Sequence, residues 1–414
     1  MSYSIIQQPN GILSLAQSPV IFSISSSQYV GSDNFQYIAE LTIWDGTNSN
    51  SGSGETWTLA KYPSAEGFTG IFDCSRILNS TQTNLALDYE TYPQLENSLK
   101  KYKIESYYRY QSGSSYVTGS HIESDVFQAM DGYQLFPMAI NQSPVSQSVT
   151  PYNFWPLLTD GPVSQSAFTT NTGFGYVYKN FNNTFTTSSK VDRIRFTDSN
   201  GQVGYYQLDT GSFPNFPTTE LVEPFPLYPS ESGFPLTGSY DWYNVCAVNT
   251  NNEPLNNPLS IGIVCEQKYP NIRIAFKNRW GTLQYINMDM VNRKSFNSTR
   301  RTYQPQLGTF QGRTLSYNEW DSQTLNYITD SSQKLLCNTN WLDEWWNEII
   351  KQLLVSDEIY WVYEGETPTY DSTSWVYKPL TISTQTIQFK TGVNDHLIQY
   401  SFEFDYGQGY KLII

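Results

Sequence analysis

Charge is scarce in this chain: of 414 residues only 15% are Asp, Glu, Lys or Arg. A helical bundle would need more Ala, Leu, Glu and Lys, and a disordered chain would combine high charge density with few aromatics. Both classes are therefore excluded by composition. Histidine is nearly missing, with only His121 and His396, and the four cysteines (Cys74, Cys246, Cys265, Cys337) form no C-x-x-C pair. A zinc site of clustered Cys and His has no basis in such spacing. No stretch reaches the roughly 18 consecutive apolar residues of a membrane span. The first residues, Met1-Ser2-Tyr3-Ser4-Ile5-Ile6, lack the basic start and apolar run of a secretory leader, so assembly in a cytoplasm is expected.

Sequence signatures of chemistry are missing as well. There is no Walker A or G-x-G-x-x-G motif for a nucleotide and no D-x-[DN]-x-[DN]-G calcium loop. Neither histidine has a G-x-S-x-G context, which leaves no support for a nucleophilic triad. Asp88 with Glu90, or Asp241 with Glu253, could be imagined as glycosidase carboxylates, but such pairs are defined by spatial separation, and solvated surface acids are the preferred reading. The net charge of −14 opposes general nucleic-acid or membrane-surface binding. No catalytic residue, cofactor or metal is expected.

What the chain does have is aromatic mass: 32 Tyr, 22 Phe and 11 Trp make up 16% of it. With abundant Ser, Thr and Asn, this suits pleated sheets and long ordered loops. The expected fold is mainly β, with several antiparallel sandwich-like domains and one prominent helix in the C-terminal third. Length alone suggests about two to three domains. The expected boundaries are an N-terminal β domain over 1–99, an irregular β-rich middle over 100–236, and a C-terminal β domain over 237–414.

Along the chain, Phe35, Tyr37, Ala39, Leu41 and Ile43 alternate onto one strand face. A polar loop opening at Asp45-Gly46 reads as a disordered tip or a contact arm, with Thr56–Ala60 as its return strand. Ser75-Arg76-Ile77-Leu78 reads as a strand-to-turn passage. Tyr102, Ile104, Ser106, Tyr108 and Tyr110 line one face of a tyrosine-dense strand. Asn200-Gly201, between Arg193–Phe196 and Val203–Tyr206, marks a hairpin because both residues tolerate positive φ. Pro-Val-Ser-Gln-Ser occurs at 144–148 and again at 162–166, two copies that establish no repeat architecture. Prolines crowd 213–238 and make it extended but not a central strand; it is the candidate inter-domain connection or an arm lying on a neighbour. Cys246 and Cys265 could meet across adjacent strands, although two buried free thiols fit a reducing compartment better.

The C-terminal third carries a strand at Asn271–Phe276, a turn at Asn278–Gly281 and a partner strand at Thr282–Met288. A helix over 341–354 follows, with Asn338–Asn340 as cap candidates and Asp343 and Glu344 favoured in its first turn. Trp341, Trp345, Ile349 and Leu353 recur at helical spacing, which predicts that the tryptophans dock this helix on the sheet. The chain closes with a hairpin of Ile387–Phe389 and Ile398–Tyr406. One charge feature stands out. Between residues 268 and 301 lie eight Lys and Arg against the single acid Asp289. It reads as a solvated hairpin face or as an inter-subunit contact made by Arg273, Lys277, Arg279, Arg293 and Lys294, because charge patterning sets register and specificity; contact with packaged DNA is a distant third, since there is no recognition helix.

The order of elements from about Tyr269 to Ile414 resembles a module in structural proteins of phages that infect Bacteroidetes, including crAss-like phages. The similar residues are Ile274–Gly281 with its Asn-x-x-Gly turn, Leu283–Ile286, Leu353–Tyr360 and Leu397–Phe402. Phe35–Ile43 and Gly70–Leu78 are also similar to the first β domain of such proteins. The resemblance covers about half the chain. It implies a tail, neck or hub component of a virion that assembles into a symmetric oligomer. Its partners would be copies of itself and other virion proteins, with no specific nucleic acid and no membrane. A receptor- or carbohydrate-binding protein contacting a host-surface glycan is the alternative, and a polysaccharide depolymerase a more distant one.

Overall fold

The computed structural model describes residues 3–10, 13–27, 32–45, 54–65, 67–82, 99–134, 156–179, 191–208, 222–265, 268–364, 375–389, 397–407 and 410–413. It is mainly β and divides into two compact units. The first comprises residues 1–265 with Lys277–Gln284, and the second Glu266–Phe276 with Tyr285–Ile414.

The first unit opens with a sandwich. A three-stranded sheet of Ser4–Gln7, Ile21–Ser25 and Gly70–Asp73 shares a core with a larger sheet. The larger sheet runs Leu13–Leu15, Phe127–Met130, Leu99–Ser112, Asp33–Asp45, Glu55–Lys61, with Ser115–Thr118 and Ile122–Glu123 joined to the long strand Leu99–Ser112. Alternation does what it predicts: Phe35, Tyr37, Ala39, Leu41 and Ile43 are all buried against Phe22, Phe72 and Tyr102. Tyr108 and Tyr110 pack partly buried on the same core. The return strand lies where it is expected, pairing Leu41 with Trp57.

Two expectations fail in this region. Ser75–Thr81 is a short helix, not a strand-to-turn passage. The Asp73 carboxylate accepts the Ser75 amide at 3.0 Å, and Leu78 closes over the core, a tertiary contact that local propensity does not report. A boundary at 99/100 also falls at the start of a strand whose partner is Asp33–Asp45, so both belong to one sheet.

Further along the same unit, Ser164–Phe168, Leu259–Val264, Trp242–Val248, Arg193–Asp198 and Val203–Gln207 form a five-stranded sheet in that order. The Asn200-Gly201 turn forms as expected: Gly201 has φ 80°, and the Asp198 carboxylate accepts the amides of Asn200 and Gln202 at 2.9 and 2.7 Å. Residues 213–221 lie outside the described residues, as do 144–148 and 46–53. The rest of the proline-rich stretch is no inter-domain connection. Val222–Pro226 is buried and, among the described residues, pairs only with Phe174–Tyr178 in a two-stranded sheet, where proline's missing donor is tolerated. The sheet then continues past residue 236 into Trp242–Val248 and Leu259–Val264, which moves the expected boundary at 236/237 downstream.

The second unit is built on one large sheet in the order Leu283–Met288, Ile272–Lys277, Ile359–Glu364, Trp375–Ile382, Ser401–Tyr406, Leu325–Asn338, Arg293–Tyr303, with Tyr410–Ile413 also on Leu325–Asn338. Its core joins Ile274, Phe276, Ile286, Met288, Leu335, Phe402 and Phe404 to Ile349, Ile350 and Leu353 of a helix. That helix spans Asn347–Val355, entered through a 3-10 turn at Glu344–Trp346. It starts later than 341 because Leu342–Asp343 forms a short antiparallel pair with Leu397–Ile398, and backbone paired there cannot also be helical. The tryptophans are redistributed accordingly: Trp346 packs partly buried on the core, whereas Trp341 is 58% exposed and Trp345 53% exposed. The expected closing hairpin is also replaced. Ser401–Tyr406 pairs with Trp375–Ile382 and Leu325–Asn338, while Ile387 and Phe389 pack on the core outside any strand.

Candidate interaction arm

The five cations expected to form one patch have two different fates. Lys277 and Arg279 sit in the hairpin tip Lys277–Gln284 of the first unit and are buried there. The Lys277 ammonium meets the Asp131 carboxylate at 2.8 Å. Arg279, 2% exposed, grips Asp160 with two parallel N–H donors, Nη2 to Oδ1 at 2.7 Å and Nε to Oδ2, while its guanidinium lies 3.9 Å from the Trp280 ring centroid. This fork is the strong form of an ion pair. Asn278 holds the turn: its side-chain oxygen accepts the amides of Trp280 and Thr282 at 3.0 and 3.1 Å, and its amide group donates to the Leu158 carbonyl at 3.0 Å. Gly281 has φ 74°, and a Cβ there would run into the Asp131 carbonyl oxygen, so only glycine fits.

Arg273 is buried in the second unit, donating to Asn287 at 2.7 Å and lying over the Tyr285 ring. Arg273, Lys277 and Arg279 are therefore internal groups and present no charge to a neighbour, which corrects the expected patch. The physical reason is that each meets a carboxylate, amide or ring inside its own unit, and the two carboxylates, Asp131 and Asp160, are more than a hundred residues away in sequence.

Arg293 and Lys294 are different. They open the strand Arg293–Tyr303, all of whose residues are exposed. It pairs antiparallel with Leu325–Asn338, from Arg293 opposite Leu336 to Tyr303 opposite Leu325, with a bulge at Arg301/Thr302. The strand Arg293–Tyr303 is the edge of the sheet, while its partner Leu325–Asn338 is held on the other side at its base and again at Ile328–Ser331, by Tyr410–Ile413. Leu335 and Cys337 enter the core, and Lys334–Asn338 pairs with Ser401–Asp405. Burial pushes the Cys337 thiol up to about 12. Lys294 lies 4.5 Å from the Trp361 ring centroid at the same base. Farther out, a second small hairpin, Thr309–Gln311 with Thr314–Ser316, caps the arm.

The arm is long, exposed and mainly polar, with large apolar side chains set along it. At about 3.4 Å per residue, its 11-residue first strand reaches roughly 35 Å. Phe296, Tyr303, Leu307, Phe310, Leu315 and Tyr317 are exposed along it, and Trp320 is 82% exposed. Exposed aromatic side chains in this number are ones that a partner would bury, since aromatic residues are enriched at interfaces. From 293 to 316 the arm carries five cations and no acid. Arg300, Arg301 and Arg313 make no ion pair among the described residues. Sequence reading picked out the cations at its base and missed its aromatics. The available signal was Gln311-Gly312-Arg313, a glycine turn (φ 68°) between two short β-prone triplets.

The remaining candidates are quickly placed. His121 bonds Glu105 at 2.7 Å and stacks on Tyr107, while His396, Asp88 and Glu90 lie outside the described residues. Asp241 and Glu253 flank opposite ends of the strand Trp242–Val248, which at about 3.3 Å per residue holds them roughly 20 Å apart. That exceeds the roughly 5–10 Å a glycosidase pair spans. All four cysteines are free; Cys246 is buried, but Cys265 is exposed rather than buried as expected.

No family model matches the chain, and no curated protein matches it. Among solved structures it is similar to the fibronectin(III)-like modules of CbhA from Clostridium thermocellum, at 11% identity over 64% of this chain and 94% of that one, with a TM-score of 0.15. It is similar also to invasin, a bacterial integrin-binding protein (9% identity, 81% of this chain, 56% of that one, TM-score 0.22). A third is dimeric latent PorU from Porphyromonas gingivalis (11%, 90% of this chain, 32% of that one, TM-score 0.19). TM-scores this low carry no argument about this chain.

Proposed function

We propose that this protein is a non-enzymatic structural subunit of a tailed-bacteriophage virion, in its tail, neck or hub, that assembles through the exposed arm at 293–338. The observation that carries the reading is the arm itself. A hairpin with this much exposed aromatic surface is marginal in water by itself, and a partner covering it would bury that surface. The sequence resemblance of Ile274–Gly281, Leu353–Tyr360 and Leu397–Phe402 to phage structural modules supports the virion setting.

The test is compositional. Antibody raised against the purified chain should decorate tailed particles at one fixed position, and the chain should co-purify with them at a constant ratio. A chain found only free in the lysate contradicts the reading. Hydrolysis of polysaccharide, peptide or nucleic acid by the purified protein contradicts its non-enzymatic part.

A second reading, glycan recognition at a host surface, is favoured by Tyr317 and Trp320 at the end of the arm, since sugars stack on exposed aromatic faces. Saturable quenching of tryptophan fluorescence by host-surface glycans, lost in Trp320→Ala, would favour it over assembly.

A further inference from the structure

We infer that the arm of one copy seats on the helix-entry surface of a second copy, a head-to-tail contact between residues 293–316 and the patch of Trp341, Asp343, Glu344 and Trp345. This rests on the assembly reading and names the two surfaces that meet.

Charge is one half of the argument. The arm stretch 293–316 holds five cations and no acid, whereas the patch at 341–345 holds Asp343 and Glu344 and no cation. Complementary potentials of this kind fix register and exclude wrong partners. The other half is aromatic. Trp341 and Trp345 are exposed and flank Asp343 and Glu344 along the chain, so this short segment offers a guanidinium both ring and carboxylate. Arg stacks on Trp more favourably than on any other ring, and Trp, Tyr and Arg dominate the energetics of interfaces. Arg300 and Arg301 on the first strand and Arg313 at the turn of the tip hairpin are the guanidiniums available for it, and Phe310 (61% exposed) lies in that same tip hairpin.

Like-with-like pairing of two arms along their outer strands is the competing geometry. It would bring two strands that hold Arg293, Lys294, Arg300 and Arg301 and no acid side by side, and like charges brought close are destabilising. Because arm and patch are different surfaces, each contact leaves one of each unused. Such heterologous contacts continue into a ring or filament.

The experiment uses the full chain in sedimentation velocity, with three variants. Arg300→Glu with Arg301→Glu alters the arm, Asp343→Lys with Glu344→Lys alters the patch, and Trp345→Ala removes a ring without touching charge. Each should keep the wild-type Tm and weaken self-association by at least about tenfold. Mixing the two charge-reversed proteins should restore association, because each then meets opposite charge. Wild-type association should also weaken near 1 M salt, where the Debye length is about 3 Å. Undiminished association of the variants, or a mixture that stays monomeric, overturns this contact while leaving assembly by another surface intact. A wild-type chain that is monomeric at every concentration overturns the assembly reading as well. Binding of duplex DNA by the wild type, lost in Arg300→Glu with Arg301→Glu, would assign the arm to nucleic acid and overturn the inference.

Discussion

Two basic hairpins follow one another in this sequence, and they solve opposite problems. In the tip Lys277–Gln284, each cation is withdrawn from water and matched to one carboxylate, Lys277 to Asp131 and Arg279 to Asp160. In the arm 293–316, the cations stay in solvent and the aromatics stay with them. Burying an ion costs several kcal/mol, which is offset only by good geometry and further hydrogen bonds. The tip meets such a bond at Asp131, whose Oδ1 accepts the Gln17 side-chain amide at 2.7 Å. The arm supplies none. A basic hairpin is thus a lock when carboxylates are prepared for it inside its own unit, and an offer to another molecule when they are not.

The largest effect should come from breaking the lock. Arg279→Met leaves Asp160 buried without its partner and should cost about 3–5 kcal/mol in denaturant unfolding of the first unit. Adding Asp160→Leu should recover much of that loss. If Arg279→Met is neutral, the pair is no lock and the contrast with the arm collapses. Next in size is the helix of the second unit. Ile349→Ala opens the core and should cost about 2–5 kcal/mol, whereas Trp345→Ala, on the exposed side, should stay within about 0.5 kcal/mol. Equal losses at the two positions would restore the picture of a helix docked by its tryptophans.

Smaller still is the effect of charge on arm stability. Arg300→Glu with Arg313→Glu should move the unfolding midpoint by less than about 0.5 kcal/mol while abolishing self-association. A large stability loss would mean these side chains are structural. The smallest effect is chemical: thiol alkylation at pH 8 should modify Cys265 and an introduced Phe310→Cys, and spare Cys74 and Cys337. Burial pushes both spared thiols up to about 12. At pH 8 they are protonated as well as shielded, so reagent needs a thiolate they do not provide. Rapid modification of Cys337 would show that the base of the arm is open.

How legible all this was depends on the range of the interaction. The Phe35–Ile43 face and the Asn200-Gly201 turn are local patterns, and both appear where the sequence places them. The helix at Ser75–Thr81 was hidden because its stabilising contact, Leu78 in the sandwich core, is tertiary. Trp341 and Trp345 fit a helical period, yet two residues between them are taken by Leu397–Ile398, a partner no local window contains. The site was half legible for the same reason. Counting cations finds Arg279 and Arg293 alike; only Asp160, distant in sequence, makes one of them internal.

Hydrogen exchange on the full chain, dilute and assembled, tests the contrast most directly. Amides of 277–284 should be protected in both states, because their lock is intramolecular. In 293–316 the amides that do not face Leu325–Asn338 should exchange fast when dilute and become protected on assembly, together with 341–345. Arm amides that exchange equally fast in both states, while the chain assembles, would contradict the account.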